Sequence, residues 1–322
     1  MKIGIVGYGN LGKAVEKLAS TNNNFEIVGI FSRRKISASS PVFNISEAPK
    51  FKGKIDVMLM CGGSEKDLMI QTPLFAKNFN TIDTFDTHQK TLKHFQNVNK
   101  TCQTHQTSSI ICCGWDPGLF SVLRVLFSHI FENVNCFYGK GISLGHTNAL
   151  KRIKGIIDAK QYTIENKMAV RQAQKNKPIT VSKHIRKCFV VTNNNHKEIK
   201  NKIFSTPNYF KGEKTIVKFI SQKSLIKKHS SLSHKGHIVC KSKTSSLELF
   251  LSMQSNPEFT ANIMLCYATA LSKIVKAKVF KAFTPMQIPV SWLFEEPITK
   301  LISTFCWISK IKSHRFWWLL FL

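Results

Sequence analysis

KIGIVGYGNLGKAVEKLASTNNNFEIVGIFSRR, residues 2–34, is the stretch that decides the fold. Lys2 to Val6 read as a short apolar strand of the kind that fills a parallel sheet buried on both faces, and the run stops at Gly7. Leu11, Ala14, Val15 and Leu18 then recur at helical spacing until the polar stretch Thr21 to Asn24. Phe25 to Phe31 form a second β-rich run, which completes one βαβ unit. Gly7, Gly9 and Gly12 occupy the turn between strand and helix as GxGxxG. In that context each glycine has a mechanical task. Gly7 permits the tight turn, Gly9 lets backbone approach a pyrophosphate at the helix N-terminus, and Gly12 lets helix and strand pack closely. The second strand ends in Ser32, Arg33 and Arg34, where NAD enzymes usually carry an acid for the ribose hydroxyls. A carboxylate would repel a 2′-phosphate, whereas a hydroxyl and two guanidiniums neutralise and hydrogen-bond it. The cofactor expected is therefore NADP.

Working outward, Ile55 to Cys61, Asn80 to Thr84 and Ser108 to Cys113 are further strand-like runs, each ending in a Gly- or Asp-bearing turn. That is the pattern of a doubly wound parallel sheet presenting its carboxyl edge to ligands. After about Pro117 the alternation changes. A helix is expected at Leu119 to Phe131, strands at Ile185 to Val191, Thr215 to Ile220 and His237 to Lys241, and a long helix at Pro257 to Ala277. The organisation expected is an α/β, Rossmann-type domain over 1–118, with 257–301 packing back on it. An α+β substrate and dimerisation domain over 119–256 and an apolar extension of unassigned role over 302–322 complete it.

The chain has 322 residues, enough for two cores, and a net charge of +29. The lysines are spread singly and in pairs, with no helix-turn-helix, zinc-finger or aromatic-plus-basic pattern, so no nucleic-acid partner is expected. A positive field would gather anionic cofactors and dicarboxylic substrates. Nine cysteines without a CxxC, and no leader ahead of Lys2, point to reduced thiols in a cytoplasmic protein. The apolar end of the chain is interrupted by Lys310, Lys312, His314 and Arg315, and its uncharged part is far short of the ~20 residues of a membrane span.

Beyond these features the chain resembles the meso-diaminopimelate dehydrogenases. The resemblance is carried by GYGNLG from Gly7, VGIFSRR from Val28, DTFDTH from Asp83, GWDPG from Gly114, QYT from Gln161, RKCFVV from Arg186, HKGH from His234 and NPEFTA from Asn256, and it extends to about Leu301. It implies NADP-dependent oxidation of the D-centre of meso-diaminopimelate to L-2-amino-6-oxopimelate and ammonia, by a homodimer. Asp83 and Asp116 are implied to grip the reacting ammonium, beside Trp115 and Tyr138, and Asp116 before Pro117 also fits a turn cap. Thr163, Arg186, His234 and Asn256 are implied to hold the distal L-end, with Arg186 clamping its carboxylate. The cofactor side is implied to include Tyr8, Asn10 and Leu11 with the three glycines and Ser32 to Arg34. Cys61, Gly62, Gly63, Ser64, Phe85, Asp86, Thr87, Asp116, Pro117, Gly118, Leu119 and Phe120 complete it. For the acid or base of imine hydrolysis, Asp83, Asp116 and His146 stay open. His234 and His237 have metal-like spacing but lack a third ligand, so no metal is expected.

Three departures stand out: Tyr138 where the family usually has Trp, a third-strand turn reading Cys61-Gly62-Gly63-Ser64 where a Met is usual, and a shortened segment from His237 to Asn256. Two other readings remain: a different two-domain NADP reductase, of the dihydrodipicolinate-reductase or homoserine-dehydrogenase kind, and an NADP-binding homologue without turnover.

Overall fold

The structure is a computed structural model and describes residues 1–305. The apolar end expected to form a tail lies, from residue 306 on, outside the described residues. The chain runs β1 (Lys2–Val6), α1 (Asn10–Ser20), β2 (Glu26–Ser32), β3 (Val42–Asn44), β4 (Val57–Met60), α2 (Met69–Ala76), β5 (Thr81–Asp83), α3 (Thr91–His105), β6 (Ser109–Ile110) and α4 (Leu119–Ile130). It continues through β7 (Asn133–Tyr138), β8 (Gly141–Ile142), α5 (Leu144–Lys151), β9 (Asp158–Glu165), α6 (Lys167–Gln174), β10 (His184–Val191), α7 (His196–Ser205) and β11 (Thr215–Phe219). It ends with α8 (Gln222–Lys228), β12 (His234–Lys241), β13 (Ser246–Met253), α9 (Asn256–Lys276), β14 (Ala282–Phe283) and α10 (Ile298–Phe305).

Two compact units emerge. The described part of the first is 1–125 with 257–305, and that of the second is 126–256, so the division falls inside α4. The first unit is a seven-stranded sheet of order β14-β6-β5-β4-β1-β2-β3, parallel throughout. The chain winds from β1 outward through β2 and β3, then crosses to β4 on the other side of β1. The switch point between β1 and β4 is where such sheets bind nucleotides. Successive side chains of a strand point to opposite faces. Ile3, Ile5, Val57 and Leu59 therefore enter one core with Met264, Leu265, Ala268 and Leu271 of α9. Met58, Met60, Val6 and Phe31 enter another with Phe75 and Val98. Both faces are covered, which is why these strands read as continuous apolar runs.

The second unit has two sheets, β11-β10-β9-β8 and β13-β12-β7. β10 and β11 are parallel; the other pairings are antiparallel. No described helix is long and apolar enough to cross a membrane.

Candidate active site

The glycine turn of the first unit has the geometry its spacing implies. Gly7 takes φ +91°, and a Cβ there would lie 3.3 Å from the Cys61 carbonyl carbon. A Cβ on Gly12 would lie 2.2 Å from the Gly7 oxygen, so only glycine lets α1 sit this close to the turn. Gly9 differs: its φ of −85° suits any residue, and an added Cβ would meet nothing within 4 Å. Open room therefore faces the start of α1, whose first residues are Asn10 and Leu11, which no side chain caps and whose first turn holds no acid. Room and uncompensated amide dipoles together fit a pyrophosphate. Tyr8 is turned back onto the helix in a short hydrogen bond from its hydroxyl to Glu16 Oε2, which, with burial, pushes its pKa up to about 12. At the end of β2, Ser32 Oγ accepts from Arg34 N at 3.1 Å, and the exposed Arg33 guanidinium donates to Asp67 Oδ1 at 2.6 Å. A hydroxyl and two arginines at this edge suit a 2′-phosphate.

The neighbouring strand ends are laced together. Cys61 is buried, which pushes its thiol up to about 12. Gly62 and Gly63 lead to Ser64, whose Oγ accepts from Asp86 N at 2.8 Å and Thr87 N at 3.1 Å. Phe85 and Phe120, expected beside the cofactor, are fully buried: Phe85 stacks on His94 and Phe120 meets Trp115 edge-on. Their side chains belong to the core, which leaves their backbone as the part that can face a cofactor.

Asp83 requires a correction. Its carboxylate is fully buried and accepts four hydrogen bonds: Thr72 Oγ1 (2.9 Å) and His94 Nε2 (2.6 Å) on Oδ2, Phe85 N and Cys112 N (3.0 Å each) on Oδ1. Four donors fill a carboxylate's capacity, so Asp83 has nothing to offer a substrate ammonium or a proton relay. It instead fastens the loop after β5 to the loop after β6. Asp86, three residues on, is exposed at the carboxyl edge. Desolvation by the surrounding protein raises its carboxyl pKa, against the lowering effect of the Ser64 hydrogen bond.

Asp116 sits in a tight loop in which Gly114 N donates to the Pro117 carbonyl, Leu119 N to the Gly114 carbonyl, and Gly118 N to Ser121 Oγ. Arg124 grips its carboxylate with both nitrogens, Nη2 to Oδ1 at 2.6 Å and Nη1 to Oδ2 at 3.1 Å. A forked pair of this kind fixes the carboxylate's orientation and uses half of its four acceptor positions. Arg124 was not anticipated. The signal available was one cation within the apolar helix LFSVLRVLFSHI.

In the second unit the β9–β10 register sets Thr163 opposite Arg186, whose Nη1 donates to Thr163 Oγ1 at 3.0 Å. The Arg186 side chain is 16% exposed, and its Nε, 3.7 Å from Glu213, has no hydrogen-bond partner. Gln161, on the same face of β9, is fully buried with Oε1 equally unsatisfied. Buried polar atoms left without partners suit a polar ligand. Gln161 lay within the QYT motif, yet its place in this cluster was not read from the sequence. Tyr138 stacks on His184, and its N–H donates to His184 Nε2 at 2.9 Å. The ring of His234 lies against Gly141, and its Nδ1 accepts from Lys235 N at 2.9 Å. Asn256 N donates to the Leu232 carbonyl at 3.0 Å.

His146 Nδ1 lies 2.9 Å from Ser143 Oγ; burial, then the nearby Arg186 charge, push its pKa down to about 4. A ring that is neutral at physiological pH is a weak proton acceptor and keeps one N–H donor. His237 is three residues from His234 on one strand, which sends the two rings to opposite faces. Both of its nitrogens lie 3.3 Å from carboxylates, Glu165 and Glu248. Among the described residues no His, Cys, Asp and Glu group has the arrangement of a metal site.

Residues 114–255 match the family model of the diaminopimelic acid dehydrogenase C-terminal domain. The meso-diaminopimelate D-dehydrogenase of Acetivibrio thermocellus is 41% identical over 313 residues, 91% of this chain and 94% of the relative. That of Lysinibacillus sphaericus is 37% identical over 318 residues, covering 94% and 98%. Among solved structures, C. glutamicum DAP dehydrogenase in complex with DAP superposes with a TM-score of 0.89 at 33% identity, covering 94% of this chain and 98% of that one. An engineered D-amino acid dehydrogenase bound to NADP+ gives 0.86 at 32% identity, covering 94% and 99%. With a relative at 41% identity aligned over nearly its full length, the chain belongs to the meso-diaminopimelate D-dehydrogenase family.

Proposed function

We propose that this protein oxidises the D-configured centre of meso-diaminopimelate with NADP, yielding L-2-amino-6-oxopimelate and ammonia. The observation that carries this reading is the likeness, over 94% of the chain, to a dehydrogenase solved with DAP. NADP, when bound, supplies the hydride acceptor. The chain's own part begins with the amides of α1 and the open space over Gly9 receiving the pyrophosphate, and Ser32, Arg33 and Arg34 holding the 2′-phosphate. Asp86 and Asp116 take the reacting ammonium, Asp116 kept in orientation by Arg124, so that the Cα–H is presented for transfer. The Cα–H bond breaks with its electron pair, an N–H proton leaves, and water converts the resulting imine to ketone and ammonium. Within the second unit the buried cluster of Gln161, Thr163 and Arg186 suits a carboxylate, in keeping with the distal L-end role that the family resemblance implies for Thr163, Arg186, His234 and Asn256. A site that hydrogen-bonds every polar group of one enantiomer rejects the other because its own buried groups would then lie unpaired.

A homodimer and a cytoplasmic setting belong to the same proposal. β13 is an edge strand, one side of which offers its backbone to a partner strand. The eight described cysteines are free thiols, as a reducing compartment would keep them. The test is stoichiometric: the purified protein given meso-diaminopimelate and NADP+ should form NADPH and ammonia in equal amounts. NADPH without ammonia, or neither product, would overturn the proposal.

A further inference from the structure

Within the first unit, one carboxylate spans two of the strand ends assigned to the cofactor. Asp67 lies in the turn of helix Ser64–Leu68 after β4. Its Oδ1 accepts from Arg33 Nη2 at 2.6 Å, and its Oδ2 accepts from Gly63 N at 2.9 Å. The carboxylate is 20% exposed, whereas the Arg33 side chain is 64% exposed. Space for this arrangement depends on Gly62, where an added Cβ would lie 2.8 Å from the Asp67 Cβ. The link continues beyond Gly63 to Ser64, whose Oγ receives the amides of Asp86 and Thr87. Arg33 is thus tied to the edge of the sheet by a half-buried anion that is itself held by backbone.

We propose that Asp67 is a positioning residue for cofactor discrimination, a latch that holds the Arg33 guanidinium ready for the 2′-phosphate. A long, exposed arginine samples many rotamers, and fixing it before the ligand arrives removes that ordering cost from binding. Arg33 donates to Asp67 through one terminal nitrogen, and a guanidinium has five N–H groups in all, so donors remain for phosphate oxygens. The latch acts on NADP alone, because NAD has no 2′-phosphate for Arg33 to meet. The inference rests on the NADP assignment made above.

The test is a double-mutant cycle read as dissociation constants for NADP+ and NAD+, measured by calorimetry without substrate on the wild type, Asp67→Ala, Arg33→Ala and the double variant. Asp67→Ala should weaken NADP+ about fivefold, corresponding to about 1 kcal/mol, and leave NAD+ unchanged. In the Arg33→Ala background the same substitution should have no further effect, since the latch would have nothing to hold. Tighter NADP+ binding by Asp67→Ala would mean that the carboxylate competes with the phosphate, and would overturn the inference. Equal losses for both cofactors, or an undiminished effect without Arg33, would assign Asp67 to propping the glycine turn and overturn it as well. A wild type without preference for NADP+ would instead sink the underlying cofactor assignment.

Discussion

Replacing Arg186 by Met separates binding from folding, because the structure gives opposite expectations for the two. Met retains most of the side chain's hydrocarbon but removes a guanidinium whose Nε is buried without a partner and whose charge burial disfavours. The substitution loses one hydrogen bond to Thr163, about 1 kcal/mol, and a long contact with the exposed carboxylate of Glu213 worth about as little. It also relieves a desolvated charge, so the net change in stability should stay within about 1 kcal/mol and the melting temperature should move by only a few degrees. Binding should suffer far more. Two charge-assisted hydrogen bonds to a substrate carboxylate are worth about 3 kcal/mol together, which raises KM for meso-diaminopimelate about 100-fold. Because that carboxylate is remote from the bond that breaks, its contact is present in ground and transition states alike and kcat should change by no more than a few-fold. Arg186→Lys keeps charge without the fork and should fall between. Steady-state kinetics and thermal melting on the same preparations decide the matter. An unchanged KM, or a loss of affinity that merely follows a large drop in melting temperature, would refute the assignment.

Further outcomes follow from the same geometry. Gly9→Val should fold and melt like the wild type yet weaken NADP+ about tenfold or more by occupying the open space through which backbone approaches the pyrophosphate, whereas Gly12→Ala should cost about 1–3 kcal/mol of stability because its Cβ meets the Gly7 oxygen; calorimetric binding and melting separate the two. Asp83→Ala should lose about 3 kcal/mol or more of stability by orphaning buried donors, while Asp86→Ala should melt normally and lose about 100-fold in kcat/KM; the reverse pattern would restore Asp83 to the site. Burial, and then the Arg186 charge, lower the His184 pKa from its ordinary 6.5 to about 4. The unfolded chain therefore binds the proton first, and this contribution to stability is complete above pH 6.5 and lost as pH falls towards 4. His184→Gln should flatten the decline of unfolding free energy across that window, and an unchanged slope would contradict the shift.

The sheet of the first unit was legible because strands covered on both faces must be apolar along their whole length, as in Ile3–Val6 and Val57–Met60. The same rule explains why Asp83 was misplaced. A carboxylate at the end of a central strand looks like a ligand, yet the burial that makes the strand readable also encloses the side chain, and the exposed Asp86 was the one to choose. The second unit was harder to read. β13, Ser-Leu-Glu-Leu-Phe-Leu-Ser-Met, and β9, Asp-Ala-Lys-Gln-Tyr-Thr-Ile-Glu, mix polar with apolar residues, and their identity as strands comes from pairing with β12 and β10. Arg124 on Asp116, Asp67 on Arg33 and the Gln161–Thr163–Arg186 cluster all join residues that only tertiary structure brings together. Residue type can nominate such partners, but register and helix direction select them.

The central claim, that the site reads one centre as D and the other as L, is tested most directly by offering the three stereoisomers of diaminopimelate separately with NADP+ and following NADPH formation. The account predicts rapid turnover of the meso compound, none of the LL-isomer, which has no D-centre to oxidise, and poor turnover of the DD-isomer, whose distal centre mismatches the pocket. Comparable oxidation of the LL-isomer would contradict it.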